Sequence, residues 1–228
     1  MAKWLLDAGH GGTDPGATYN GRKESNDVLK LTLRVGEILK DNGEAVSYTR
    51  TTDKALSLAE RSNIDKAGSY DYFVSIHRNA YQPEKAKGVE THIYASCGKR
   101  EELAKKVNDN LVAVGFTNRG VKISNFHVLR ETKSAAILIE TGFIDNTSDN
   151  NLFDSKFEAI AQAIAKGCLS QIGKSIKVES TSNSTATATR ETYYRVIVGS
   201  YKDRNNAEAQ QKKLKENGFD SFLEAFKK

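Results

Sequence analysis

The 228-residue sequence predicts an α/β fold: a mostly parallel twisted sheet flanked by helices, plus a small βαβ C-terminal module. Three observations predict it. Short apolar runs rich in β-branched residues alternate with helical periodicities, which is the pattern of a mostly parallel sheet. A stretch of Ser and Thr then interrupts the chain, and residues 193–228 beyond it repeat strand, helix and strand. At about 150 residues per domain the length suits one sizeable core and an accessory module.

The first strand is predicted at Lys3 to Leu6, running into the glycine-rich turn Ala8-Gly9-His10-Gly11-Gly12. From Asn26 to Asn42, Val28, Leu31, Val35, Ile38 and Leu39 recur at helical spacing, and Asn42-Gly43 supplies a stop. Ala45 to Thr49 reads as a strand, Leu58 to Ala67 as a helix closed by Gly68, and Tyr72 to Ile76 as a buried strand. Val89 to Tyr94 is predicted as a strand, Glu101 to Val114 as an amphipathic helix and Phe126 to Leu129 as a short strand. The apolar run Ala135 to Ile139 predicts a central strand ended by Glu140, and Phe157 to Ile172 closes the domain as a helix. Residues 1–172 are therefore read as one domain. Residues 173–192 hold nine Ser or Thr and no aromatic, the composition of a flexible linker. In the tail, Tyr193 to Tyr201 and Phe219 to Phe226 read as strands around a helix from Asn205 to Asn217.

Composition excludes several classes. Mean hydropathy is −0.56 and no apolar run is long enough for a membrane span. The net charge of +5 places +1 in residues 1–172 and +3 in residues 193–228, without the dense basic stripe of a nucleic-acid binder. Cys97 and Cys168 stand in no metal-ligand spacing and read as free thiols. The apolar part of the N-terminus, interrupted by Asp7, is too short for a signal peptide, so the expectation is a protein made in the cytoplasm.

The chemistry gathers where strands end. His10 follows the first strand, His77 follows Ile76 and Glu140 follows Ile139, and ligands in open α/β sheets bind outside the carboxyl ends of strands. Glu24 lies just before the first long helix, within reach of that rim. Two imidazoles and a carboxylate, with a further carboxylate to spare, form the donor set of a catalytic zinc site and its general base, so hydrolysis is the predicted chemistry. No HExxH helix occurs. Taken singly, each strand-end histidine also fits a plain hydrogen-bonding role. Glu90 reads either as a carboxylate touching substrate or supporting the site, or as an outward-facing strand residue. His92 and His127 read as surface or packing residues, and Asp7 as an acceptor orienting His10.

Several segments carry a resemblance: Leu6-Asp7-Ala8-Gly9-His10-Gly11-Gly12 with Asp14-Pro15-Gly16-Ala17, Glu24 before Asn26, Ser75-Ile76-His77-Arg78-Asn79-Ala80, Gly88-Val89-Glu90-Thr91, and Ile139-Glu140-Thr141-Gly142-Phe143-Ile144 with Asn146. In this order they resemble the zinc-dependent N-acetylmuramoyl-L-alanine amidases over nearly all of residues 1–172. The resemblance implies Zn2+ on His10, Glu24 and His77, Glu140 as the catalytic glutamate, and cleavage of peptidoglycan between N-acetylmuramic acid and L-alanine. Arg78 departs from the small residue that many relatives carry there, which predicts an altered substrate groove.

Tyr194-Arg195-Val196-Ile197-Val198-Gly199-Ser200-Tyr201, Asn206-Ala207 opening a helix, and Asn217-Gly218-Phe219 resemble the first half of a SPOR domain, a peptidoglycan-binding module. One half implies either weak binding alone or a homodimer through residues 193–228 that covers an open strand edge. The leading expectation is an amidase of phage-lysin (endolysin) type acting on the cell wall after release, with a mother-cell enzyme of a sporulating bacterium as the other setting. The alternatives are a zinc exopeptidase of related fold and a non-catalytic cell-wall-binding protein.

Overall fold

The computed structural model describes residues 1–176 and 201–219. The chain divides into two compact units, Met1–Glu179 and Ser180–Lys228.

In the first unit, β1 (Lys3–Ala8) leads through a glycine turn to a two-strand hairpin, β2 (Thr18–Tyr19) and β3 (Arg22–Lys23), and then to α1 (Glu24–Asp41). The chain continues through β4 (Ala45–Tyr48), α2 (Leu58–Ala67), β5 (Tyr72–Asn79), β6 (Val89–Ile93) and α3 (Gly98–Val114). It ends with β7 (Asn118–Ile123), α4 (His127–Arg130), β8 (Ala135–Phe143), α5 (Thr147–Ser155) and α6 (Phe157–Gln171). The main sheet has the order β4-β1-β5-β8-β6-β7. Its first four strands are parallel, while β6 runs antiparallel to β8 and parallel to β7. The mostly parallel sheet flanked by helices is the fold class expected from the sequence.

Side chains alternate across a strand, so each face of the sheet has its own set. On one face Trp4, Leu6, Val74, Ile76, Ile137 and Ile139 pack with α1, α3 and α6 in the large core, where each fully buried large side chain contributes about 1.5–3 kcal/mol. Trp4 stacks on Tyr72 with ring centroids 4.4 Å apart. On the other face a small cluster of Leu5, Phe73, Ala136 and Leu138 packs against Val128 and Leu129 of α4 and Ile64 of α2. The same alternation carries Asp7, Ser75, His77 and Glu140 onto this thinly covered face.

Three local expectations are corrected. Phe126 to Leu129 forms no strand: α4 occupies it, and Val128 and Leu129 plug the small cluster as a helical turn. The strand in this region is β7, whose sequence NRGVKI hides it because an edge strand with one wet face has no apolar run. His77 and Glu140 do not end their strands. Ladder pairing continues past them, with His77 opposite Glu140, so β5 reaches Asn79 and β8 reaches Phe143. Polar α5 has no predicted counterpart. Asn146 caps it by accepting from the Asp149 N–H at 3.1 Å.

The second unit contains α7 (Arg204–Glu216), one residue ahead of the predicted helix, capped by Asp203 accepting from the Asn205 N–H at 2.7 Å. The two predicted tail strands lie outside the described residues, except Tyr201 and Phe219, which belong to no element. Most of the predicted linker, residues 177–192, also lies outside them. Among the described residues no helix is long and apolar enough to cross a membrane.

Candidate active site

The site is built on the turn that follows β1. The Gly9 N–H donates to the Ile76 carbonyl at 3.1 Å, tying the turn to β5. Two buried arginines then hold its carbonyls. Arg50 donates to Ala8 at 2.9 Å and Gly9 at 2.7 Å, while Arg61 donates to Ala8 and His10 at 2.7 Å each. His10 is thereby kept at φ 56°, a left-handed conformation costing about 1–3 kcal/mol that persists only where its surroundings enforce it.

Two glycines leave room for the side chains. A Cβ on Gly9 would lie 2.3 Å from the His77 ring, and one on Gly16 would lie 2.6 Å from Glu24 Oε2 and 2.7 Å from the His10 ring. Glu24 opens α1, where the helix dipole favours a negative charge. Its Oε1 accepts from the Arg78 N–H at 3.0 Å and its Oε2 from the Ala17 N–H at 2.9 Å.

The structure brings His10, Glu24 and His77 together, with one donor atom from each lying within 4.8 Å of the others. Glu24 Oε2 faces His10 Nε2 at 3.2 Å and Oε1 faces His77 Nδ1 at 2.9 Å. Burial works against charge on all three groups. It raises the Glu24 carboxyl, but hydrogen bonds and charge from both histidines hold it well below its ordinary range. Burial likewise lowers the imidazoles, yet Glu24 and Asp14 together raise His10 to about 9, and Glu24 raises His77.

Glu140 stands beside this group as the ladder partner of His77. Its Oε2 is buried with no hydrogen-bond partner among the described residues. Burial, with the nearby charges of Glu24 and Glu90, pushes its carboxyl up to about 7 against the opposing pull of His77 and His10. The arrangement joins a three-donor metal set to a carboxyl group that titrates near neutrality, which suits proton transfer in a hydrolysis.

Three neighbouring readings change, while His92 and His127 keep the packing and surface roles expected of them. Asp7 does not orient His10: it is buried against Thr49, Ser75 and Arg61, while His10 Nδ1 donates to Asp14 at 2.8 Å. Asp14 stood four residues on, in the same turn motif. Glu90 is not outward-facing. It is buried opposite Glu140 and accepts from Asn79, His92, Arg119 and Lys122. Arg78 does not shape the groove, because its side chain is buried on Asp27 at 2.8 Å and over the Phe153 ring at 4.4 Å. His92 bonds Ser124 at 2.7 Å and His127 faces Ser62 at 3.2 Å. The sequence reading missed Arg50, Arg61, Arg119 and Lys122, since isolated basic residues carry no spacing signal.

Comparison with known proteins accords with this geometry. Residues 5–170 match the family model "N-acetylmuramoyl-L-alanine amidase" and residues 161–223 match that of the SPOR domain. The first part of the SPOR match, residues 161–171, falls on α6 within the amidase core. The chain is 35% identical to the sporulation-specific N-acetylmuramoyl-L-alanine amidase of Bacillus subtilis, over 98% of this chain and 84% of the relative. It is 38% identical to the endolysin of Bacillus phage SPP1, over 71% of this chain and 63% of that protein. Among solved structures, the catalytic domain of CwlV, an N-acetylmuramoyl-L-alanine amidase from Bacillus (Paenibacillus) polymyxa, superposes with TM-score 0.72 at 34% identity, covering 78% of this chain and all of that one. The amidase from Clostridium difficile 630 gives TM-score 0.71 at 33% identity, over 75% and 97% of the two chains. The chain belongs to the N-acetylmuramoyl-L-alanine amidase family and hydrolyses the amide bond between N-acetylmuramic acid and L-alanine in peptidoglycan.

Proposed function

We propose that this amidase works with one zinc ion held by His10, Glu24 and His77, and with Glu140 as its general acid and base. The observation that carries the reading is the convergence of those three donors beside a buried carboxyl group. The residues fit the metal on three counts. Two imidazoles and one carboxylate are a catalytic zinc donor set. Gly9 and Gly16 keep clear the space that a Cβ would fill against these side chains. The buried Glu140 Oε2 has no hydrogen-bond partner among the described residues. When bound, zinc supplies Lewis acidity toward a carbonyl oxygen and toward water.

The remaining work falls to the chain. Glu140 takes a proton from the attacking water and returns it to the departing amine of L-alanine, a task suited to a carboxyl group that titrates near neutrality. Asp14 fixes the His10 ring by accepting from Nδ1, which leaves Nε2 directed toward the site. The test is peptidoglycan digestion by metal-loaded and chelator-treated protein. Loaded protein is expected to release amino groups on L-alanine without new reducing sugars, and chelated protein to release none. Full activity in the metal-depleted protein would contradict the reading.

The same proposal assigns residues 1–172 to catalysis, 173–192 to a tether and 193–228 to a half SPOR-like module that holds the enzyme on its polymer substrate. A tether of this kind raises the local concentration of enzyme at the wall without new catalytic contacts. Pairing of two tails into a homodimer completes the half-module. Sedimentation of the full chain checks this, and a monomer at high concentration would contradict it.

The setting we propose is lysis of a wall after release of the enzyme, as in a phage lysin. Lysis by a sporulating mother cell is favoured by one observation: the sporulation-specific relative matches over 98% of the chain, the phage endolysin over 71%. Time of expression, during sporulation or during phage induction, separates the two.

A further inference from the structure

The row of side chains that contains the site continues beyond Glu140 to the edge of the sheet. Across the ladders His77 lies opposite Glu140, and Glu140 lies opposite Glu90. On the next strand the register slips between Val89 and Thr91, so that both Arg119 and Gly120 stand opposite Glu90. Such bulges re-aim side chains beside active sites. Here the bulge directs Arg119 back toward the row, with Nε donating to Glu90 Oε2 at 2.6 Å and the guanidinium lying 4.9 Å from the centre of the Phe143 ring. Lys122 donates to the same Oε2, while Asn79 and His92 occupy Oε1.

Two cations therefore share one carboxylate. Burial lowers the His92 imidazole, so Arg119 and Lys122 are the two cations set against the Glu90 carboxylate. The two terminal amino groups of Arg119 have no hydrogen-bond acceptor among the described residues, and the side chain is one-third exposed at 33%. A fixed, partly exposed guanidinium with its fork free is a receptor for a second carboxylate, which it binds in bidentate fashion.

We propose that Arg119, steadied by Glu90 and supported by Lys122, binds the free α-carboxylate on the second residue of the stem peptide and sets the enzyme's preference for non-amidated peptidoglycan. The inference rests on the amidase activity. The spacing agrees: two strand separations place the Arg119 backbone about 10 Å from that of Glu140. Its side chain reaches back over Glu90, and two residues of extended peptide span about 7 Å from the scissile amide.

The experiment compares two soluble muramyl tripeptides that differ only in whether the α-carboxyl of the second residue is free or amidated. Wild-type enzyme is expected to favour the free acid by tenfold or more in kcat/KM, and Arg119→Gln to bring that ratio to within about twofold by raising KM for the acid. Arg119→Lys, which keeps the charge and loses the fork, is expected to fall between them. The amidated substrate reports catalysis by itself, so loss of discrimination is read separately from loss of activity or folding. A wild-type ratio near one, or a ratio unchanged in Arg119→Gln, would overturn the proposal.

Discussion

Glu140 and His77 are direct partners in the parallel ladder between β8 and β5, so a carboxyl group and an imidazole stand side by side on one face of the sheet. The pairing puts an acid whose Oε2 has no hydrogen-bond partner among the described residues next to a three-donor cluster in which Glu24 raises both imidazoles. Such a site is assembled for chemistry at a cost in stability.

That cost is measurable. The folded-state pKa of Glu140, about 7, lies above its ordinary 4.5. Between those values the folded state binds more protons than the unfolded state, so stability falls as pH rises from about 4.5 to 7. Metal-free Glu140→Gln is therefore expected to be more stable than metal-free wild type above pH 7, by about 3 kcal/mol. The gain shrinks toward pH 5. Denaturant titrations at the two pH values check it, and a gain that grows as pH falls would contradict it.

The histidines titrate in the opposite sense. His10 is raised to about 9, so its contribution to stability is fully present below about 6.5 and is lost as pH rises through 9. His77 is raised as well. Since a metal binds only the neutral imidazole, zinc binding at pH 7 is expected to release at least the His10 proton. Calorimetry in buffers of different ionisation enthalpy measures that release, and an enthalpy independent of buffer would contradict it.

Arg61 links the core to the site. It pairs with buried Asp7 at 2.6 Å and also holds the carbonyls of Ala8 and His10. Arg61→Ala leaves the Asp7 charge without its partner and is expected to cost about 3–5 kcal/mol in denaturant unfolding. Zinc affinity falls with it. A loss under 1 kcal/mol would show that Thr49 and Ser75 suffice for Asp7.

Gly9 tests the space around the donors. In Gly9→Ala the added methyl meets the His77 ring at 2.3 Å, so either the turn or the ring must move. The expected result is a 10–100-fold loss of zinc affinity with the far-ultraviolet circular dichroism spectrum retained. Unchanged affinity would mean that the turn yields without disturbing the site.

What was legible in the sequence, and what was not, follows from the physics of each element. Trp4 to Leu6, Tyr72 to Val74 and Ala136 to Ile139 are buried on both faces, so continuous apolar runs marked them. The edge strand β7 has a polar face and a glycine, and the short polar α5 depends on its cap, so neither left an apolar signature. Within the site, motif order brought out His10, Glu24, His77 and Glu140. Arg50 and Arg61 act by holding backbone carbonyls from 40 or more residues away, with |i−j| from 41 to 53, and such long-range pairing leaves no mark in local spacing. Arg78 misled for a related reason: its position next to His77 in the chain put its side chain on the opposite face of the strand.

The central claim is that His10, Glu24 and His77 hold zinc while Glu140 moves the proton. It is tested most directly by measuring, on the same samples of wild type and Glu140→Gln, bound zinc and the release of L-alanine amino groups from peptidoglycan. The account predicts one zinc per chain in both proteins and hydrolysis slowed by a factor on the order of 100 or more in the variant. Hydrolysis at the wild-type rate by zinc-loaded Glu140→Gln would contradict it.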